Sequence, residues 1–307
     1  MIALKRTNRT AWGSGIVFFI LLTFAVSTPL STLAMVLLPV PLVLLIAKGE
    51  WQRAVIHLLV ALVVLAVLGS FLQAVLLLLF VGSFAYVLGN GFRTGHVTRA
   101  MINAVLIFIG FIVIGLALLK WSGIAILPLL MSEVKKAISE NPNIGLLEGS
   151  HSVGTINQLV QQISLYFPSF IVLFAIGSTL LDAAITRMWL RRTSDQFQPV
   201  FSYLRFPPML VIIFGVSLVI LAFQLFHQEA LIWTLANNVF LIAGFLLALQ
   251  ALSLLWWYVK PKPWGIFVFF ILFILSFIPY ISQLYLLLGV FDIVMDLRSR
   301  IDKKRQK

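Results

Sequence analysis

Residues 263–297, PWGIFVFFILFILSFIPYISQLYLLLGVFDIVMDL, carry no charged side chain before Asp292. As one α-helix these 35 residues would be about 52 Å long, at 1.5 Å per residue. The hydrocarbon core of a bilayer is about 30 Å thick. Ile278-Pro279-Tyr280 falls near the middle of the run, and Pro279 has no backbone donor to continue a helix. The spacing therefore predicts two helices and a return. That return sets Lys260 and Lys262, which precede the run, on the same side as Arg298, Arg300, Lys303, Lys304, Arg305 and Lys307, which follow it.

The same ruler applies to the rest of the chain. Of its 307 residues, 61% are hydrophobic and 10% are charged. A soluble domain carries about 25% charged residues, so most of this surface is built to face lipid. Residues 10–47 hold no charge and break at Ser27-Thr28-Pro29, giving helices over 11–28 and 32–47. Gly69-Ser70 divides 53–68 from 71–89. Further apolar helices are expected over 99–119, 164–186, 207–227 and 230–257. With the final pair this makes about ten spans (8–10) in an all-α, polytopic helical bundle. The chain reads as a single integral membrane domain, 1–307. Although Lys5, Arg6 and Arg9 precede an apolar run like a signal peptide, apolar sequence resumes after Thr32, and an uncleaved first helix is expected.

Residues 120–162 are too polar to cross. They form an extracytoplasmic loop with two amphipathic helical stretches. One is near 129–139; the other places Ile156, Leu159, Val160, Ile163 and Phe167 on one stripe. The net charge of +12 fits the positive-inside bias of membrane insertion better than nucleic-acid binding, for which there is no soluble basic domain. With ten spans, 19 of the 22 basic residues fall on one side, leaving Lys120, Lys135 and Lys136 on the other. The expectation is a cytoplasmic (inner) membrane protein of a bacterium, both termini cytoplasmic, ending in a basic tail over 298–307.

Catalytic chemistry is not legible. No cysteine is present, and there is no HExxH zinc motif or Walker A loop. The four histidines, 57, 96, 151 and 227, are scattered. No enzyme activity, metal or cofactor is expected. Attention falls on polar residues inside apolar runs, where an ionisable group is costly. Asp182 lies in the sixth expected span, and Asn237 and Asn238 in the eighth. These three are the candidates for holding a small solute. Asp292 and Asp296, four apart in the last expected helix, face one side. With Arg298 they are candidates for docking a partner.

The closing motif Gly-x-x-Asp-x-x-x-Asp-x-Arg, carried by Gly289, Asp292, Asp296 and Arg298, resembles that of the YybS-like bacterial membrane proteins, a family of unknown function. That resemblance would cover nearly the whole chain. The family is in turn distantly similar to the substrate-binding subunits of energy-coupling-factor transporters. Those subunits dock a coupling partner through Ala-x-x-x-Ala in the first helix; here Ala11 and Gly15 stand at that spacing. The resemblance implies a small-solute-binding or transport-related subunit without its own ATPase. The alternative is a non-enzymatic scaffold in cell-envelope growth, division or sporulation, with a membrane or cytoplasmic protein partner.

Overall fold

The computed structural model describes residues 2–27, 30–68, 71–123, 152–191, 201, 204–226 and 230–305, with 129, 132, 133 and 136 between. Among the described residues the secondary structure is helical and no strand occurs. The helices are α1 (Ile2–Ser27), α2 (Ser31–Leu37), α3 (Val40–Ala47), α4 (Trp51–Leu68), α5 (Phe71–Thr94), α6 (Val97–Trp121), α7 (Ser152–Arg191), α8 (Met209–Ala222), α9 (Leu231–Val259), α10 (Gly265–Leu275), α11 (Pro279–Met295) and α12 (Leu297–Arg305). Most of the loop expected over 120–162, including its first amphipathic stretch, lies outside the described residues. So do Pro29 and the Gly69-Ser70 break.

Four described helices are long and apolar enough to cross a bilayer: Ala74–Thr94, Val97–Trp121, Gln161–Leu190 and Leu231–Val259. Gly265–Leu275 and Pro279–Met295 would make a fifth as a pair, but they are bent by 113°. The expected ten spans are thus not matched by ten crossing-length helices. Length is the reason. The apolar runs fold into helices, but the apolar stretches Gly13–Val26, Ser31–Ala47, Trp51–Val67 and Met209–Ala222 are 14–17 residues long, about 21–26 Å, against about 20 residues for a full crossing; helix α1 is longer only because it begins in the polar residues before Gly13. Pro39 and Pro41 help to divide the second run into α2 and α3. A second difference concerns α7. The amphipathic stretch and the sixth span, expected apart, are one 40-residue helix with Pro168 inside it.

Contacts group the chain into two compact units, Met1–Trp121 with Phe174–Gln198, and Ser122–Leu173 with Pro199–Lys307. In the first, α5 packs against α3, α4 and α6. Phe108 meets Phe80, Phe84 and Phe174 edge to face, ring centres 5.0–6.2 Å apart. Such geometry suits the ring quadrupoles. Gly49, at φ +81°, turns the chain from α3 into α4, a backbone that glycine adopts without a Cβ clash. On the opposite face of α6, Ile102, Leu106 and Val113 are more than half exposed, an apolar surface that belongs in lipid.

In the second unit α9 is the central helix, packed against α8, α10 and α11. Leu286 neighbours Gly244, Gly289 abuts Leu247, Asp292 bonds Gln250 and Arg298 bonds Ser253. Both sets of numbers rise together, so α9 and α11 run parallel. Helix α10 therefore carries the chain back between them. Its Phe269 ring sits 4.9 Å from Trp256 near the end of α9, and the Tyr285 hydroxyl of α11 donates to the Leu272 carbonyl at 2.7 Å. The return expected around Pro279 is thus present within this unit. Ile278 is extended before the proline (φ −80°, ψ 123°), and Pro279 opens α11, where its missing N–H is harmless.

Gly289 is where α11 approaches closest. A Cβ built there would collide with the Leu247 carbonyl oxygen. Gly289→Ala is expected to destabilise the protein by about 1–3 kcal/mol through overpacking, read as a lower midpoint of chemical unfolding in detergent micelles. Gly244→Ala is the control, since its Cβ would meet Leu286 at an ordinary 3.4 Å.

Candidate functional site

Asn237 and Asn238 lie side by side on α9, and the structure brings both onto α7. Pro168 removes one amide donor from that helix. Immediately after it, the Ser169 N–H donates to Asn238 Oδ1 at 2.9 Å, while the Asn238 side-chain amide donates to the Leu165 carbonyl at 2.8 Å. The Asn238 side chain thus spans the backbone groups one helical turn apart around the proline, as a peptide group would. The Ser169 hydroxyl adds a 2.6 Å bond to Oδ1, and the second amide proton goes to the Thr234 carbonyl at 2.8 Å. Both donors and both lone pairs of the amide are used. Asn237 donates to the Trp233 carbonyl and accepts from the Tyr166 hydroxyl. These two solute candidates are therefore engaged in holding α9 to α7.

The second polar cluster joins α9 to the end of α11. Gln250 donates to Asp292 Oδ2 at 2.6 Å and accepts from the Phe206 N–H at 3.1 Å. Arg298 lies 3.2 Å from the same Asp292 oxygen, both side chains at most 3% exposed, and it also donates to the Ser253 hydroxyl at 3.0 Å. Ser253 in turn donates to the Phe201 carbonyl. Burial pulls the Arg298 guanidinium below its ordinary value, and the Asp292 carboxylate opposes that shift.

Asp296 does not share a face with Asp292. It leaves the helix in the left-handed conformation, φ 45° and ψ 62°, and pairs at the half-exposed surface with Arg205, 3.2 Å away. The i, i+4 spacing misleads here because the helix stops between the two residues. Of the docking candidates, Asp292 and Arg298 are buried and paired with each other inside the chain.

Ala11 lies on α1, but its surroundings fall outside the described residues. Gly15 is buried against α4: a Cβ there would strike the His57 ring. Its small size serves the packing of α1 on α4 inside the unit.

Asp182 belongs to the first unit, apart from the asparagines. It is 1% exposed, and neither its Oδ1 nor the Thr186 Oγ1 one turn later has a hydrogen-bond partner among the described residues. The first unit also holds a cavity of about 480 Å³, within the 300–1,000 Å³ range of ligand pockets. Its walls are Val17 and Leu21 of α1, Leu44 and Leu45 of α3, and Ile185 and Trp189 of α7, with Ser14 and Lys48 as polar members. Sequence alone offered no sign of it, since Lys48 registered only as a charge ending an apolar run.

Comparison with known proteins agrees with this reading of the chain as a membrane protein. The family described as "Predicted membrane protein (DUF2232)" matches residues 15–293, a range that includes Gly289 and Asp292. The "Uncharacterized protein YybS" of Bacillus subtilis (strain 168) is 24% identical over 225 residues, covering 70% of this chain and 72% of that protein. No solved structure matches. With so much of its length inside one family, the chain belongs to the DUF2232 predicted membrane proteins.

Proposed function

We propose that this protein is a small-solute-binding, transport-related subunit of the bacterial cytoplasmic membrane, with the α1–α3–α7 cavity as its binding site. One observation carries the reading: an apolar cavity of about 480 Å³ with a lysine on its wall. An apolar lining with a few placed polar groups is the usual composition of a solute site. Lys48 is a point charge for an anionic group, Ser14 is a hydrogen-bonding hydroxyl, and the leucines and Trp189 would enclose an apolar body. The ligand class is thus a small, largely apolar carboxylate or phosphate. The chain contains no Walker A motif, so energy for transport would come from a partner or an ion gradient. Both basic ends face the cytoplasm under the positive-inside bias.

The test is thermal unfolding of the purified protein against a panel of small apolar acids. A true ligand at 100 times its Kd stabilises by about 2.7 kcal/mol. Lys48→Ala should weaken that stabilisation, and Leu44→Trp, which fills the cavity, should abolish it. A midpoint unchanged across the whole panel would count against the assignment.

A further inference from the structure

We propose that Asp182 and Thr186 form a binding site for a small alkali-metal cation within the membrane-spanning part of α7. Asp182 lies in the apolar stretch Gln161–Leu190, eight residues from its end, or about 12 Å along the helix axis. Its side chain is buried, and so is that of Thr186. The unpartnered oxygens Oδ1 and Oγ1 sit on residues four apart, which stack on one helix face. One turn earlier on that face is Ser178, also buried. Thr179 adds a hydroxyl whose proton is donated to the Ala175 carbonyl at 2.8 Å, which leaves its lone pairs as acceptors.

An isolated carboxylate is costly in hydrocarbon and is normally paired. No ion pair to Asp182 occurs among the described residues. Arg187 is five residues on, roughly 140° around the helix, on a different face. The donor set of this stripe is all oxygen, which suits a hard cation. It carries a single carboxylate, and no group of three His, Cys, Asp or Glu side chains suited to a metal occurs among the described residues. One negative charge and several neutral oxygens match a monovalent ion better than calcium or a transition metal.

The cavity of the first unit offers a route to the site. Ile185 and Trp189, three and seven residues after Asp182, line the cavity, so the polar stripe continues that wall one turn deeper. The proposal goes beyond the solute reading and does not depend on it, since it stands on the two orphaned oxygens.

The experiment uses the full chain in lipid nanodiscs, with chloride salts of sodium, lithium and potassium compared with choline at constant ionic strength. The expected result is a saturable rise in Tm with at least one alkali cation. Asp182→Asn should be flat across all four salts, and Thr186→Val should need about tenfold more cation, as expected from loss of one ligand worth about 1.4 kcal/mol. A flat wild type overturns the proposal, as does an Asp182→Asn response equal to that of wild type. The first of these results, with Asp182→Asn as stable as wild type, would identify a neutral carboxyl instead. If Asp182→Asn does not fold, retention of radiolabelled sodium, lithium competition and rubidium by the wild-type protein decides. Saturable retention of an alkali ion supports the site, and none for any of the three overturns it. A failed solute panel would leave both readouts unaffected.

Discussion

Asp292→Ala is expected to lower the stability of this protein by about 3–5 kcal/mol, the range for breaking a buried ion pair from one side. The cost arises in what remains. Arg298 would keep its charge at 3% exposure without its carboxylate, and the Gln250 amide would lose its 2.6 Å acceptor. The pair itself contributes far less than this, because burying two charges has its own desolvation cost. Asp292→Leu combined with Arg298→Met should therefore recover most of the loss. Chemical unfolding in detergent micelles measures both. A double variant as unstable as the single would show that the ion pair is not the source of the effect. By contrast, Asp296→Ala should cost about 0–1 kcal/mol through the exposed pair with Arg205.

The second large effect is expected at Asn238. Asn238→Ala removes the acceptor of the Ser169 N–H and a donor to the Leu165 carbonyl. A buried backbone group left unpaired costs about 1–3 kcal/mol, so for these two groups a total of roughly 2–6 kcal/mol is expected. Hydrogen bonds between membrane helices average only about 0.6 kcal/mol; the excess at this position comes from Pro168. A double-mutant cycle isolates that cause. With Pro168→Ala in place the helix can close its own ladder, and Asn238→Ala should then cost roughly 1 kcal/mol. Equal costs in the two backgrounds would mean that Asn238 does not compensate for the proline.

The helices were largely legible in the sequence because charges and prolines mark their ends. Lys48 and Arg53 bracket the α3–α4 turn, Lys120 falls at the close of α6, and Pro279 begins α11. Crossing length was not legible. An uncharged run says that residues are apolar but not how much of the run is used by turns, and Leu38-Pro39 shows how a proline divides such a run into two short helices. The candidate residues were found, but their roles depended on partners distant in the chain. Asn238 meets Ser169 across 69 positions, and Gln250 meets Asp292 across 42. No local spacing encodes those pairings. Where local spacing was used, for Asp292 and Asp296, it assumed a helix that the left-handed Asp296 ends. Asp182 stood out for a reason that survives folding: a carboxylate in an apolar run needs an explanation whatever lies beside it.

Helices α10 and α11 carry the chain back so that α11 runs parallel to α9, which sets both flanks of the pair on one side; the proposed orientation makes that side the cytoplasm. Reporter fusions after Lys262 and after Lys307, each active on only one side of the membrane, test it directly. Both fusions should report the cytoplasm. A cytoplasmic signal at Lys262 with an external signal at Lys307 would contradict the hairpin and the shared position of the basic ends.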